Sequence, residues 1–315
     1  MSRSFYFSCM VAFVAGLAFS AEAGNWPSWR GDVAGSGIVR TEKIPLEWGT
    51  EKNVRWRVPL PDRGNSSPIV WGDKVFITQA TDSDNRRTVM CFDKSTGELL
   101  WRTGVTYTKA EKTHKTNPYC SGSPVTDGRV VVANYASAGV AAYDLEGQQL
   151  WHRKLGPQDH IWGNGTSPVL FGDLCIVYHG PGPGSSLYAL DKLSGRTIWK
   201  RKVQEKDDPD RVDGFRGANG GINGAFTTPI IIEVQGRHEL ILSEANTLRA
   251  LSPEDGSELW HCNGLNPLIY TSPVYDGKLV LSMGGYFGAS IAVKPGGSGD
   301  VTAKRSWHDP RSKKN

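Results

Sequence analysis

Short apolar stretches alternate with polar turn residues along most of the chain. In the first clear unit, clusters of apolar or β-branched side chains fall at four places: 67–71, 74–78, 87–92 and 98–101. The pair Gly72-Asp73 separates the first two clusters, as expected for a tight hairpin turn. Clusters of this length bounded by Gly, Asp and Ser are typical of strands. The pattern therefore predicts a four-stranded antiparallel sheet.

The same unit recurs, and two signatures mark its beginning and its end. Each unit opens on a hydroxyl-rich step into proline: NSSP at 65–68, SGSP at 121–124, GTSP at 165–168, FTTP at 226–229 and YTSP at 270–273. Each closes on a tryptophan, and one further copy of this ending precedes the first unit: Trp56, Trp101, Trp151, Trp199, Trp260 and Trp307. By subtraction of positions, these tryptophans lie 45, 50, 48, 61 and 47 residues apart. A period in this range indicates propeller blades or solenoid turns.

Four-stranded sheets repeated in this way predict an all-β fold, a β-propeller. A single such sheet cannot bury its faces alone, so neighbouring sheets must stack, and radial repetition leaves only short edges. We predict a propeller domain at 53–315 with five full blades, at about 65–105, 120–155, 164–203, 225–264 and 270–308. Residues 53–60 are predicted to be an additional fourth strand that closes the ring.

The recurring turn and tryptophan predict how the blades contact one another. A glycine four residues before the tryptophan relieves a left-handed backbone in the turn. The tryptophan is a large apolar plate that can pack between consecutive blades. We expect structural docking, rather than ligand stacking, from one set of residues: Trp56, Gly97, Trp101, Gly147, Trp151, Gly195, Trp199, Gly256, Trp260 and Trp307.

The repeated phrase A-x-D-x-x-T-G-x-x-x-W, followed at 91–101, 189–199 and 250–260, resembles the PQQ-like (pyrroloquinoline-quinone-type) propeller repeat. Ser252 replaces the aspartate in the last of these, and the copy at 142–151 is one residue shorter. The resemblance implies a ring of seven or eight blades whose last blade is completed by a terminal strand. Five blades and one such strand therefore predict an incomplete ring.

The first residues predict export. Arg3 precedes an uncharged, mostly apolar run, and Ala21-Glu22-Ala23 supplies an A-x-A cleavage pattern. We expect residues 1–23 to be a signal peptide, so that the mature chain is periplasmic or extracellular. The apolar run is too short for a comfortable membrane span, and no transmembrane segment is expected in the mature chain. Residues 24–52 are expected to form an irregular lead-in that packs across the ring.

Charge and cysteine content limit which partners and cofactors are expected. The chain has 36 Lys and Arg against 32 Asp and Glu, spread along its length. A nucleic-acid face needs a stripe of one sign, so no nucleic-acid partner is expected. Four cysteines follow residue 23: Cys91, Cys120, Cys175 and Cys262. An exported chain can pair them, but none forms C-x-x-C, and we predict neither a zinc site nor a redox motif.

Candidate binding residues gather where the blades begin. The entry to the first strand of each blade lies near the propeller axis, so these steps would share one funnel. A funnel of hydroxyls, aromatic rings and an arginine can receive a polar planar ligand or a peptide loop. The candidates are Arg63, Asn65, Ser66, Tyr119, Ser121, His160, Trp162, Asn164, Thr166, Phe226, Thr227, Tyr270 and Thr271. In the competing interpretation, the Ser and Thr hydroxyls only cap strand starts through local backbone bonds.

No catalytic or metal-binding pattern is predicted. No carboxylate or nucleophile is evidently aimed at His160, so it is not assigned as a base. The loop 203–224 departs most from the repeat and carries four aspartates, but their spacing lacks the EF-hand pattern. The segments GNGTS and GANGGING do not lie between a strand and a helix, which excludes Rossmann and P-loop sites.

Two functions from different classes remain open. In the first, the chain is a non-catalytic exported propeller that binds an envelope protein or a polysaccharide and needs no cofactor. It then resembles the BamB-type scaffold propeller of the outer-membrane β-barrel assembly machinery, although the lipid-attachment pattern of that family is absent.

In the second, the chain is a quinoprotein dehydrogenase that uses PQQ with calcium to oxidise alcohols or sugars. That resemblance implies a quinone stacked between a tryptophan and a Cys-Cys disulfide, with an aspartate as base. Trp162 is a candidate stacking residue, but no Cys-Cys pair occurs and no aspartate lies at the hydroxyl-proline steps. We therefore favour the first function, because the fold is indicated while the catalytic site is not.

Overall fold

The computed structural model describes residues 24–39, 44–182, 184–205, 208, 210–211, 213–215 and 222–310. The predicted signal peptide at 1–23 lies outside the described residues. The described chain folds into five four-stranded antiparallel blades, and its helical content is two single 3₁₀ turns, at Ala136–Ala138 and Thr302–Lys304. The prediction of an all-β fold built from such blades is confirmed.

The strands follow one another from the inside of each blade to its outside. Blade one contains β1 (Ile69–Trp71), β2 (Lys74–Thr81), β3 (Arg86–Asp93) and β4 (Leu99–Thr106). Blade two contains β5 (Val125–Thr126), β6 (Val131–Asn134), β7 (Val140–Tyr143) and β8 (Gln149–Arg153). Blade three contains β9 (Val169–Phe171), β10 (Leu174–His179), β11 (Ser186–Asp191) and β12 (Thr197–Lys202).

The last two blades carry small additions. β13 (Gly224–Ala225) precedes blade four, which contains β14 (Ile230–Val234), β15 (Arg237–Glu244), β16 (Thr247–Leu251) and β17 (Glu258–Asn263). β18 (Leu268–Ile269) then pairs in parallel with β13. Blade five contains β19 (Val274–Tyr275), β20 (Val280–Met283), β21 (Ser290–Val293) and β23 (Trp307–Asp309), while β22 (Gly299–Asp300) pairs in parallel with β17 of blade four.

The core lies in the seams between blades. In blade one, Ile69 of β1 pairs with Phe76 of β2, and both side chains are fully buried in a cluster shared with Val131 and Tyr143 of blade two. Similar apolar clusters join blade two to blade three and blade three to blades four and five. Because side chains alternate between the two faces of a strand, each sheet presents one apolar face to each neighbouring blade.

Each regular seam is closed by the predicted tryptophan and glycine. The indole N–H of Trp101 donates to the Leu145 carbonyl at 3.0 Å, and that of Trp151 donates to the Lys192 carbonyl at 3.0 Å. A Cβ atom added to Gly195, which has φ +70°, would lie 2.6 Å from the Trp151 ring. The same contact joins Gly97 to Trp56, Gly147 to Trp101 and Gly256 to Trp199. Each of these positions therefore requires glycine for two reasons, the positive φ and the tryptophan ring that leaves no room for a Cβ atom.

The segment 53–60 keeps only part of its predicted role. It forms no paired strand, since no strand lies beside it among the described residues. Trp56 nevertheless stacks on Gly97, and its indole N–H donates to the Lys94 carbonyl at 2.9 Å. Trp56 therefore stands where the last tryptophan of a preceding blade would stand.

Two tryptophans depart from the pattern of the regular seams. The indole N–H of Trp260 donates to Glu239 Oε2 in its own blade at 2.8 Å, because this buried carboxylate takes the place of the turn carbonyl used elsewhere. Trp307 pairs with Ala292 in blade five but remains 43% exposed, since no turn of a following blade covers it within the described residues.

A second device, a ladder of hydroxyls, links the inner strands. The backbone N–H of Ser67 donates to Ser123 Oγ at 2.8 Å, and the N–H of Ser123 donates to Ser167 Oγ at 2.9 Å. The ladder continues from Ser167 to Thr228 at 3.0 Å and from Thr228 to Ser272 at 2.9 Å. The Ser or Thr before each proline thus holds adjacent blades together, in addition to any role in starting its own strand.

The lead-in follows the inner strands as an irregular segment. Trp26 exchanges two backbone hydrogen bonds of 2.8 Å with Val70 of blade one. The Pro27 carbonyl accepts from Thr126 of blade two at 2.9 Å, and the Val33 carbonyl accepts from Ile231 of blade four at 2.9 Å. The segment therefore braces three blades through backbone groups left unpaired by the sheets.

Candidate functional site

Three of the predicted funnel aromatics lie together at the inner ends of blades three to five. The Trp162 ring centroid lies 6.5 Å from that of Phe226 and 6.1 Å from that of Tyr270, and the last two are 6.3 Å apart. The three rings are mutually tilted and half-buried, so each contributes surface to the wall of one cavity. Burial raises the pKa of the Tyr270 hydroxyl well above its ordinary value, which keeps it protonated.

The cavity is larger than these three rings and contains residues that the sequence did not single out. Its volume is about 610 Å³, and two more aromatic side chains, Phe215 and Tyr286, extend its apolar wall. Phe215 lies 5.1 Å from Trp162 and 5.3 Å from Tyr286, measured between ring centroids. The remaining described lining residues are His114, Thr116, Asn117 and Gly165. We call this cavity and its nine lining residues the aromatic funnel.

A long connection between blades one and two positions the polar side of the funnel. Asn117 donates through Nδ2 to the carbonyls of Trp162, at 2.6 Å, and Asn164, at 3.2 Å. The same side chain therefore fixes the loop that carries the central tryptophan. His114 Nδ1 lies 2.7 Å from the Thr116 hydroxyl, which orients that ring.

A buried ion pair supports the opposite wall. Arg211 and Asp213 form two parallel hydrogen bonds, of 2.9 Å and 2.8 Å, and both side chains are buried. The backbone N–H of Phe215 donates to Asp213 Oδ1 at 3.0 Å, so the ion pair holds this ring at the funnel. Asp213 thus accepts two hydrogen bonds from Arg211 and one from the Phe215 backbone N–H, so a bound calcium ion is not needed to explain its burial.

His160 lies behind the funnel wall. Its ring is 5.6 Å from Trp162 and 5.0 Å from Phe226, and its Nδ1 accepts from the Trp162 backbone N–H at 3.2 Å. Burial lowers its pKa, so the imidazole is neutral near pH 7. No carboxylate bonds to it among the described residues. The geometry makes His160 a support for the aromatic rings.

The structure corrects the prediction for the threonines of the hydroxyl-proline steps. Thr166 and Thr227 are fully buried and donate to the carbonyls of Tyr178 and Ser243, both at 2.8 Å. Thr271 donates in the same way to the Met283 carbonyl at 2.5 Å. These hydroxyls tie the entries of blades three, four and five to the second strands of the same blades, so they serve the fold rather than a ligand.

The remaining candidates lie outside the funnel. Ser66 accepts from the Thr78 backbone N–H, and Ser121 donates to the Pro118 carbonyl. Asn65 donates to the Thr116 carbonyl at 2.8 Å, while Asn164 donates to the Gly180 carbonyl. These four side chains position the loops that surround the funnel.

Arg63 and Tyr119 line a separate cavity of about 140 Å³, which shares His114 with the funnel. Arg63 is exposed and donates to the Lys115 carbonyl at 3.3 Å. The guanidinium of the buried Arg87 lies over the Tyr119 ring, 3.9 Å from the ring centroid, in a cation–π contact. The arginine predicted for the funnel therefore does not reach it.

The described residues of the funnel offer shape and aromatic contact to a ligand. PQQ carries three carboxylates, yet no lysine or arginine is present among the described lining residues. No group of three or more His, Cys, Asp or Glu side chains that could hold a metal ion occurs among the described residues. The described funnel residues do not fit PQQ with calcium. The four cysteines described are all buried free thiols, and none provides a stacking disulfide.

Comparison with known proteins defines the class of the chain as a propeller of PQQ-like repeats. A family model described as outer membrane protein assembly factor BamB matches residues 48–179 and 183–296. These residues make up well over half of the chain, and the chain therefore belongs to this family. The resemblance inferred from the repeated phrase is confirmed.

Curated relatives carry two kinds of name. BamB of Alkalilimnicola ehrlichii is 24% identical over 219 residues, which cover 69% of this chain and 48% of the relative. A polyvinylalcohol dehydrogenase of Sphingopyxis sp. is 21% identical over 340 residues, which cover 88% of this chain and 50% of the relative. The chain thus spans about half the length of the curated relatives it matches.

Solved structures show the same fold. Quinohemoprotein alcohol dehydrogenase from Pseudomonas putida HK5 superposes with a TM-score of 0.60 at 14% identity, over 91% of this chain and 48% of its own. A europium-containing methanol dehydrogenase also reaches 0.60, at 12% identity, over 87% of this chain and 57% of its own. At these identities the likeness establishes the propeller fold alone. Within the part of the chain that the structure describes, no helix is long and apolar enough to span a membrane.

Proposed function

We propose that this chain is a non-catalytic binding propeller of the cell envelope, and that the aromatic funnel receives an apolar or aromatic segment of a partner protein. The observation that carries the proposal is the funnel itself. Five aromatic side chains converge on one cavity, and no ionised carboxylate or ammonium group is present among its described lining residues. Clustered aromatic residues in a concave site supply most of the binding energy in many protein interfaces.

Membership of the BamB family supports a protein partner, because the family is described as an outer membrane protein assembly factor. The predicted signal peptide at 1–23 supports an exported location. The supports under the funnel, Asn117 and the Arg211–Asp213 pair, hold the rings in place before a ligand arrives. A preorganised site loses less conformational entropy on binding, which favours affinity for a flexible peptide.

The proposal is tested with overlapping peptides that tile the outer-membrane proteins of the source organism, measured against the mature chain and two variants. Trp162→Ala removes the central ring, and Trp48→Ala is the matched control, since Trp48 is 72% exposed and lies outside the funnel. We expect some peptides to bind the parent and the control equally and Trp162→Ala about thirtyfold more weakly, which corresponds to a hot spot of about 2 kcal/mol. Equal binding to all three proteins contradicts the proposal. Binding of envelope polysaccharide alone, lost in Trp162→Ala, would assign the funnel to a glycan.

A PQQ- and calcium-dependent dehydrogenase is the second candidate, because curated relatives named polyvinylalcohol dehydrogenase match most of the chain. A planar ring could also lie against the Trp162 wall of the funnel. Calorimetric titration of the mature chain with PQQ and calcium, with dye-linked alcohol oxidation in parallel, separates the two functions. The binding function predicts neither saturable heat nor turnover. Tight binding with turnover would replace it with the enzyme.

A further inference from the structure

The outer strands of blades two and three end in basic residues. Directly after the tryptophan of each strand, the chain reads His-Arg-Lys at 152–154 and Lys-Arg-Lys at 200–202. Within these two stretches, Lys154, Lys200 and Lys202 are exposed, and Arg153 is half-buried. We call these four residues the basic band.

Equivalent cations in the neighbouring blades are neutralised. In blade one, the residue after the tryptophan is Arg102, which lies 3.5 Å from Asp84. In blade four it is His261, whose Nδ1 lies 2.6 Å from Glu258, and the same carboxylate lies 3.1 Å from Arg201. In the part of the chain that the structure describes, no carboxylate lies within 4.0 Å of a charged nitrogen of the basic band. The positive charge of the band is therefore left without a partner in the fold.

Two adjacent seams show why this charge remains. Arg153 and Arg201 occupy the same position, two residues after the tryptophans of blades two and three. Arg201 is neutralised across its seam by Glu258, which stands two residues before Trp260. The corresponding residue of blade three is Thr197, which carries no charge. The seam between blades two and three thus lacks the carboxylate that the next seam provides.

The fold holds part of the basic band in place. Lys200 Nζ lies 4.8 Å from the centroid of the Tyr188 ring, in a cation–π contact. The side chain of Arg153 packs against the turn of blade three, since a Cβ atom added to Gly195 would lie 3.1 Å from Arg153 Cγ. Lys200 and Lys202 are two residues apart in β12, so they lie on the same face of the strand and about 6.6 Å apart. The charges therefore have a fixed spacing along the strand.

We propose that the basic band is a docking surface for an extended acidic segment of a partner protein, with carboxylates at alternate positions. Such a segment repeats its side chains at the spacing of Lys200 and Lys202. Complementary charge across an interface accelerates encounter and selects against partners of the same sign. The fixed spacing favours a polypeptide over an anionic lipid surface, whose headgroups move independently. The band lies on outer strands, whereas the aromatic funnel lies at the inner ends of the blades, so the inference is independent of the funnel.

The test uses two fluorescein-labelled peptides of equal length and composition. One alternates glutamate with serine, and the other carries its glutamates in one block. Fluorescence anisotropy at low salt measures their binding to the mature chain. We expect the alternating peptide to bind more tightly, and its binding to disappear in about 1 M sodium chloride, where the Debye length is only about 3 Å. Trp162→Ala should bind this peptide as the parent does.

A pair of charge-matched variants locates the binding. Lys200→Gln/Lys202→Gln removes two charges of the basic band, and we expect about fivefold weaker binding, because exposed ion pairs are individually weak. Lys278→Gln/Lys294→Gln is the matched control, since it removes two exposed lysines from blade five. The control should bind as the parent does. Thermal unfolding of both variants checks that the fold is intact.

The two arginines give a second matched pair. Arg153→Gln should weaken binding about twofold, whereas Arg201→Gln should leave it unchanged, because Glu258 already neutralises Arg201. Equal weakening by the blade-five control, equal binding of the two peptides, or no binding to the parent would overturn the proposal. So would capture of the parent by vesicles of anionic phospholipid without binding of either peptide, which would assign the band to a lipid surface.

Discussion

The seams between the blades and the aromatic funnel use the same kinds of side chain for opposite purposes. In a seam, the Trp151 ring is buried against Gly195 and its N–H is paired with the Lys192 carbonyl. In the funnel, Trp162 is half-buried and lies in the wall of an open cavity. A tryptophan whose apolar surface and N–H are both satisfied within the fold stabilises it. A tryptophan with accessible apolar surface in a concave site is available to a ligand.

The largest loss of stability is expected when a tryptophan of a seam is removed. Trp151→Ala removes a buried ring and leaves a cavity between blades two and three, so we expect a loss of about 3–5 kcal/mol in the free energy of unfolding. Urea unfolding monitored by circular dichroism measures it. A loss below about 1 kcal/mol would mean that the seam does not depend on its tryptophan.

A smaller loss is expected from the turn glycines. Gly195→Ala places a Cβ at 2.6 Å from the Trp151 ring on a backbone with φ +70°, and we expect a cost of about 2–4 kcal/mol from strain and overpacking together. Gly172→Ala is the matched control, because Gly172 has φ +55° but nothing within 4 Å. The control should lose only about 1 kcal/mol. Equal losses in the two variants would show that the ring contact has no role.

The hydroxyl ladder predicts a still smaller effect. Thr228→Val keeps the side-chain shape but removes the acceptor for the Ser167 backbone N–H, so the expected loss is about 1–2 kcal/mol. Thr228→Ser retains the hydroxyl and should preserve most of the stability. The pair of variants is compared by thermal unfolding. If Thr228→Ser is as destabilised as Thr228→Val, packing rather than the hydrogen bond accounts for the loss.

The repeat turns predict a weak dependence on acid. The backbone N–H groups of Thr96 and Ser95 lower the pKa of Asp93, and the Ser194 hydroxyl lowers that of Asp191. A carboxyl group whose pKa is lowered in the folded state stabilises it above the unfolded pKa of about 3.9, and this contribution is lost as pH falls below that value. Parent and Asp93→Ser/Asp191→Ser proteins are compared by unfolding midpoint from pH 7 to pH 2.5. The variant imitates the natural Ser252 turn, and its unfolding midpoint should fall less on acidification than that of the parent. Parallel falls of the two midpoints with pH would contradict this.

The seams were predictable from the sequence because their residues recur at the same place in each unit. The spacing of Gly195 and Trp199 was enough to assign both to docking. The hydrogen bond from the Trp260 indole N–H to the buried Glu239 was not predictable from the repeat, because Glu239 has no counterpart in the repeated phrase.

The funnel was only partly predictable, since it is built where the units differ. Trp162, Phe226 and Tyr270 were found because they stand next to the repeated hydroxyl-proline steps. Phe215 and Tyr286 come from segments without a repeat signal, and only the length of the 203–224 loop pointed toward the first of them. Thr166 and Thr227 were placed in the funnel by position alone. In the structure both are buried, and their hydroxyls donate to backbone carbonyls.

The most direct test of the contrast is the unfolding free energy of Trp162→Ala, measured in urea beside the parent. Because this ring is half-buried and makes its contacts at the wall of a cavity, the expected loss is about 1 kcal/mol, well below that of a seam tryptophan. Such a result leaves the ring available for binding. A loss of about 3 kcal/mol or more, as expected for a seam tryptophan, would contradict the account and make Trp162 part of the scaffold.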